Sequence, residues 1–169
     1  NNASIFPYAS DVYGDGVDAD CDGFDCEAGY DGSGTYFNVC VLSTQQDYSQ
    51  VESHCLNGGH DGVALPLNSI ENDTIFQMSL NVWANRPVSN YSIRLGGTDA
   101  VTEDVWLHDR TGAPMTYFNW PSSGSEPNNS GGNEHCINII GDIAYNGLWQ
   151  DLGCHAPSNV SYAWSCETR

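Results

Sequence analysis

Seven cysteines in a chain of 169 residues narrow the choice of fold more than any other feature. They are Cys21, Cys26, Cys40, Cys55, Cys136, Cys154 and Cys166. Such a density is typical of oxidising compartments, where cross-links supplement a small core. The odd number leaves at least one thiol without a partner in its own chain, so a free thiol or a bond between chains is expected. Spacing alone does not choose the pairing, because six cysteines allow fifteen connectivities. Sequons at Asn2, Asn72, Asn90, Asn128 and Asn159 point the same way, toward a secreted, extracellular glycoprotein.

Charge excludes several classes of partner. The 22 acidic residues meet only four basic ones, Arg86, Arg94, Arg110 and Arg169, for a formal net charge of −18. Nucleic acid and anionic membrane surfaces need a basic footprint that this chain lacks. No apolar run approaches the roughly 18 residues of a membrane-spanning helix, so membrane insertion is not expected. A hydrophobic content of 40% is sufficient for a packed core. A start at Asn1 rather than Met is what a processed chain or a fragment would show.

The acidity is uneven. Asp11, Asp15, Asp18, Asp20, Asp22, Asp25, Glu27 and Asp31 crowd into 11–31, with no basic residue among them. Residues 1–25 read as an acidic, Gly-rich arm with too little apolar content for its own core, and 26–169 as the main domain. In that domain Thr35–Leu42 and Gly62–Leu67 read as strands, and Asp47–Leu56 as a short helix. The strongest helix runs from Asn68 to about Asn85, with Asn68 and Glu71 at capping-box spacing. Ile70, Ile75, Phe76, Leu80 and Trp83 form its apolar stripe. From Ser92 onward, short apolar runs alternate with Gly, Pro, Asn and Ser, and 121–135 is a long loop. The fold class is therefore α+β, held by disulfides.

The chemistry lies in that loop and just beyond it. Glu126-Pro127-Asn128-Asn129 is followed by Glu134, and later by Gln150-Asp151. Carboxylate and amide oxygens suit Ca²⁺, which takes six to eight of them. Only His135 and His155 stand near enough to suggest zinc, so calcium is the better reading. In the arm, Asp18, Asp20 and Asp22 make a D-x-D-x-D-G run, but Gly29 stands where an EF-hand needs a bidentate Glu. The run is closer to short Asp-rich calcium-binding repeats, and the bland alternative is a solvated acidic linker.

These elements, taken in order, resemble a C-type lectin-like domain of the long form over about 26–169. Cys26-Glu27-Ala28-Gly29-Tyr30 is similar to the family's opening hairpin. Cys55-Leu56-Asn57-Gly58-Gly59, the Asn68-Ser69-Ile70-Glu71 helix start, Leu95-Gly96-Gly97-Thr98-Asp99 and Tyr117-Phe118-Asn119-Trp120 follow. The Glu-Pro-Asn loop, Trp149-Gln150-Asp151 and the last cysteines complete the match. The resemblance implies two helices, small antiparallel sheets and a long calcium-binding loop region. It implies disulfides Cys26–Cys40, Cys55–Cys166 and Cys136–Cys154, with Cys21 unpaired or intermolecular. It also implies a primary calcium site of Glu126, Asn128, Glu134, Gln150 and Asp151, the same side chains binding sugar. Gln150 departs from the family's Asn. The order Glu then Asn goes in the family with equatorial 3- and 4-hydroxyls, hence mannose-type glycans. A second, incomplete calcium site would use Asp99, Glu103 and Asn129, with His135 where the family often has Asp.

Two functional readings follow. One is a secreted, calcium-dependent lectin. The other is a structural building block of an extracellular matrix, mineral layer or filament, self-associating through the arm or Cys21. Catalysis is not expected: metal-bound carboxylates are poor general acids, and no nucleophile sits in an activating setting. Trp120 and Trp149 are expected in the core, while Tyr145 and Asn146 are further candidates for ligand contact. A glycan on Asn128 would block the sugar site, which leaves Asn2, Asn72, Asn90 and Asn159 as glycosylation candidates.

Overall fold

The computed structural model describes residues 5–6, 9, 17, 19, 21, 26–41, 48–84, 91–155 and 161–169. Helix α2 spans Ser69–Ala84 and begins where its cap predicts. Asn68 Oδ1 accepts from the backbone N–H groups of Ile70 and Glu71, each at 3.0 Å. Glu71 Oε2 reaches back to accept from Leu67 N at 2.9 Å, which satisfies a further orphan donor. The buried face differs from the expected stripe. Ile75, Phe76, Met78, Val82 and Trp83 are buried, but Ile70 is exposed. Ile70 lies on the outer face of the helix with Asp73, Thr74 and Gln77, while Glu71 and Asn72 beside it are already buried.

The strands are β1 (Glu27–Tyr30), β2 (Tyr36–Val41), β3 (Gly62–Val63), β4 (Tyr91–Thr98), β5 (Leu107–His108), β6 (Cys136–Ile140), β7 (Trp149–Leu152) and β8 (Ser161–Thr168). Helix α1 is Tyr48–Asn57. The main sheet runs β1-β2-β8-β4-β6-β7, with β3 beside β8 and β5 beside β4. All pairings are antiparallel except β4 with β8. The expected strand at 62–67 shortens to two residues because Leu65 N turns away from the ladder. Ala64 N bonds Ser165 O, and Leu65 N bonds the buried Glu167 carboxylate.

One core packs α2 against β2, β4 and β6, with Phe37, Phe76, Ile93, Leu95, Ile139 and Trp149 at its centre. Gly96 and Gly97 let β4 pass close to its neighbours. A Cβ on Gly96 would lie 2.6 Å from Val63 O, and one on Gly97 would lie 2.6 Å from Ile137 Cδ1. A second cluster gathers Cys26, Cys40, Cys55, Cys166, Val51 and Trp164. The disulfides are Cys26–Cys40, Cys55–Cys166 and Cys136–Cys154, and Cys21 is free and exposed. Cys55–Cys166 closes a sequence separation of 111. In the chain-entropy picture that removes about 4–5 kcal/mol of unfolded-state freedom. From the arm, Ala9 is buried and its carbonyl accepts from Tyr36 Oη at 3.2 Å. Among the described residues no helix is long and apolar enough to cross a membrane.

Asn72 is fully buried on α2. Its Oδ1 accepts from Trp149 Nε1 at 2.6 Å, and its Nδ2 donates to Gly147 O at 3.2 Å. Asn72 is therefore not a glycan acceptor in the folded domain, since a linked glycan would have no space and both bonds would be lost. It fastens the helix to the strand that follows Gly147. Asn72→Ala is expected to leave the buried indole N–H unpaired and to destabilise the domain by about 2–3 kcal/mol. Urea unfolding checks this, and a loss under about 0.5 kcal/mol, the ordinary surface range, would show that the contact is dispensable.

Candidate functional site

Trp149 is completely buried, and it anchors the short strand β7 on which Asp151 rides. Tyr117 and Trp120 meet its ring edge-to-face, with centroids at 5.5 and 5.6 Å. Trp149 N donates to Asn119 O at 2.9 Å, and Asn119 Nδ2 donates to Gly147 O at 2.9 Å. The Tyr117–Trp120 segment, which opens the long loop, is thus sewn to β7. The Cys136–Cys154 disulfide braces the other side, joining the start of β6 to the turn after β7.

The loop then closes over Asp151. That carboxylate is buried, and each of its oxygens accepts a backbone N–H: Oδ1 from Asn128 at 2.9 Å and Oδ2 from Asn129 at 2.7 Å. Asn128 Nδ2 donates to Glu126 Oε2 at 2.7 Å. The Glu126–Pro127 peptide is cis. Glu134 Oε2 accepts from Ser130 N at 2.8 Å, and Glu134 N donates to Asn129 Oδ1 at 3.0 Å. Glu126, Asn128, Glu134 and Asp151 are therefore brought together.

Electrostatics shows how crowded they are. Burial pushes the Glu126 carboxyl up to about 8, and the adjacent Asp151 adds to the rise through a hydrogen bond and its charge. Glu134 is also raised, by burial and by the Asp151 charge. Three carboxylates and an amide oxygen at one loop are donors that fit a hard divalent cation.

Gln150 is not brought to this cluster. Successive strand residues point to opposite faces, so Gln150 faces away from Asp151. Its Nε2 donates to Ser92 Oγ on β4 at 2.8 Å. The sequence motif suggested adjacency at one ion, and the strand geometry separates the two side chains.

Beside the first cluster lies a second. Asp99, Glu103 and His135 hold potential ligand atoms all within 4.8 Å of one another. Asn129 joins them, its Nδ2 donating to Glu103 Oε2 at 2.5 Å. The antiparallel register Thr98↔Cys136 explains the meeting, because it sets Asp99 opposite His135 just past the strand ends. Burial and the charges of Asp99 and Asp104 raise the Glu103 carboxyl. Tyr145 is exposed, and Asn146 adopts a left-handed conformation with φ 48°.

Asp18, Asp20 and Asp22, and the sequons at Asn2, Asn90 and Asn159, lie outside the described residues. Two supporting residues escaped the sequence reading. Asn119 carries no local signal. Asn72 does carry one: a polar residue with poor helix propensity, placed among core positions of an apolar helix.

No family model matches the sequence. The chain is 31% identical over 113 residues to ladderlectin of Oncorhynchus mykiss, covering 67% of this chain and 54% of ladderlectin. It is 36% identical over 77 residues to perlucin of Haliotis laevigata, covering 46% of this chain and 47% of perlucin. The matched part thus spans about half the length of these relatives. Among solved structures, the C-type lectin CEL-I of Cucumaria echinata superposes with a TM-score of 0.60 at 17% identity, covering 85% of this chain and 94% of CEL-I. With its two helices, mixed sheet and three disulfides, the chain carries a C-type lectin-like domain.

Proposed function

We propose that this domain is a secreted, calcium-dependent lectin for mannose-type glycans. Glu126, Asn128, Glu134 and Asp151 hold the ion. The observation that carries the reading is the Asp151 carboxylate, clasped by the backbone of Asn128 and Asn129 while the Asn128 amide bonds Glu126. These donors stand at the surface end of a rigid core, where a ligand can reach them. One oxygen from each of the four side chains, completed by two sugar hydroxyls, gives six, within the six to eight Ca²⁺ takes. Gln150 is not needed for that count. The cation polarises the hydroxyls, and the charged acceptors strengthen the hydrogen bonds they make. Glu126 accepts and Asn128 donates, an order suited to equatorial 3- and 4-hydroxyls.

Retention on a mannose column tests the reading. Wild-type protein is expected to bind with calcium and elute with a chelator. Glu126→Gln with Asn128→Asp is expected to lose mannose or turn toward galactose. Absence of retention at millimolar calcium would sink the proposal.

Protons should compete with the ion, because Glu126 must ionise to bind it. With its carboxyl raised to about 8, calcium affinity is expected to fall as pH drops below that value. The limit for one proton is about tenfold per pH unit. Calcium titrations at pH 6, 7 and 8 read this directly, and a flat profile would place Glu126 outside the site.

One observation favours a second role, that of a structural building block. Cys21 is exposed and unpaired beside three closed disulfides. In an oxidising compartment such a thiol joins chains. A dimer on a non-reducing gel, abolished by Cys21→Ser, is the expected result, and a monomer in both lanes argues against it.

A further inference from the structure

The second cluster does not fit calcium. The ion needs six to eight oxygens, and this pocket offers two carboxylates and an imidazole. The nearby Asn129 amide is already engaged. Its Nδ2 donates to Glu103 Oε2, and its Oδ1 accepts from Glu134 N at 3.0 Å. Asp99 Oδ2 is likewise held by Asp104 N at 3.0 Å. Imidazole suits zinc and its transition-metal neighbours.

We infer that Asp99, Glu103 and His135 form a separate site for a zinc-class divalent cation. The distances support it. His135 Nδ1 lies 3.1 Å from Asp99 Oδ1 and 3.8 Å from Glu103 Oε2. Ligand atoms around a tetrahedral zinc, with bonds of about 2.0–2.1 Å, stand roughly 3.3–3.4 Å apart. Small rotations of the exposed Glu103 side chain close the difference. The surrounding groups are already those that orient ligands. Asp104 N fixes Asp99. Thr98 Oγ1 donates to His135 O at 2.7 Å, and Asp99 N to the same carbonyl at 3.3 Å, which sets the backbone of the histidine. Asp99 closes the pocket from the protein side, with a side chain 1% exposed, while His135 and Glu103 open it to solvent. A fourth position is thereby left for water. The imidazole is the deciding element, since its nitrogen faces both carboxylates at once. This inference does not rest on the lectin reading.

The test uses the full chain, stripped of metal and held in excess calcium so that the first cluster is satisfied. Zn²⁺ is titrated by calorimetry, and Co²⁺ by its visible d–d bands. The wild type is expected to take one equivalent of Zn²⁺ and to give the intense cobalt spectrum of a four-coordinate site. His135→Ala should weaken Zn²⁺ by about 100-fold or more, since loss of an outer partner alone typically costs 10–100-fold. His135→Asp should lose the cobalt bands and gain a calcium equivalent. Glu126→Gln should still take one equivalent of Zn²⁺ and keep the four-coordinate cobalt spectrum while losing calcium, which separates failure here from failure at the sugar site. If the wild type takes no Zn²⁺, the cluster is only an ion pair and the inference falls. It falls equally if His135→Ala binds as the wild type does, because the metal then sits on other histidines or on Cys21. Matching thermal unfolding of the variants guards against misfolding.

Discussion

The Asp151 carboxylate, with a backbone N–H on each oxygen, is the constraint on which the candidate site depends. A loop of fifteen polar and small residues has no core of its own to define its shape. Here it is shaped by two charge-assisted bonds to a carboxylate that the sheet itself positions. Asp151 in turn stands where it does because Trp149, two residues before it, is buried to completion. The chain of cause therefore runs from the core through β7 to the loop, and each link is short. Asn72 and Asn119 reinforce it by fastening Gly147 from two sides.

Much of this could be read from the residues. The cap at Asn68 and Glu71 forms as written, because capping is a local interaction between groups three residues apart. The three disulfides match those implied by resemblance, although spacing alone could not have chosen them. The convergence of Glu126, Asn128, Glu134 and Asp151 was also implied by resemblance rather than by periodicity. The contacts to Asp151 span more than 20 residues, and no local pattern encodes them.

What failed to show in the sequence failed for physical reasons. Gln150 was implied as a ligand because it stands where the family has Asn, but a pleated strand sends neighbours to opposite faces. Ser92, from a distant strand, supplies the partner that Gln150 takes instead. Asn72 looked like an accessible sequon because a three-residue motif carries no information about burial. Ile70 fitted the apolar stripe, yet it falls on the outer face with Asp73, Thr74 and Gln77. Each error came from treating sequence proximity as spatial proximity, or a motif as a surface.

The two donor clusters share one residue, and this makes the loop a single mechanical unit. Asn129 sends its backbone N–H to Asp151 and its side-chain N–H to Glu103, while its side-chain oxygen receives Glu134 N. A cation drawing Glu103 inward toward His135 would act on that amide, and so on the peptide that also orients Asp151. By linkage, any effect of one cluster's occupation on the other's affinity would run by the same factor in both directions. Donor chemistry differs between the clusters, oxygen-rich at Asp151 and imidazole-bearing at His135. Asn129 thus joins in geometry two clusters that differ in their donors.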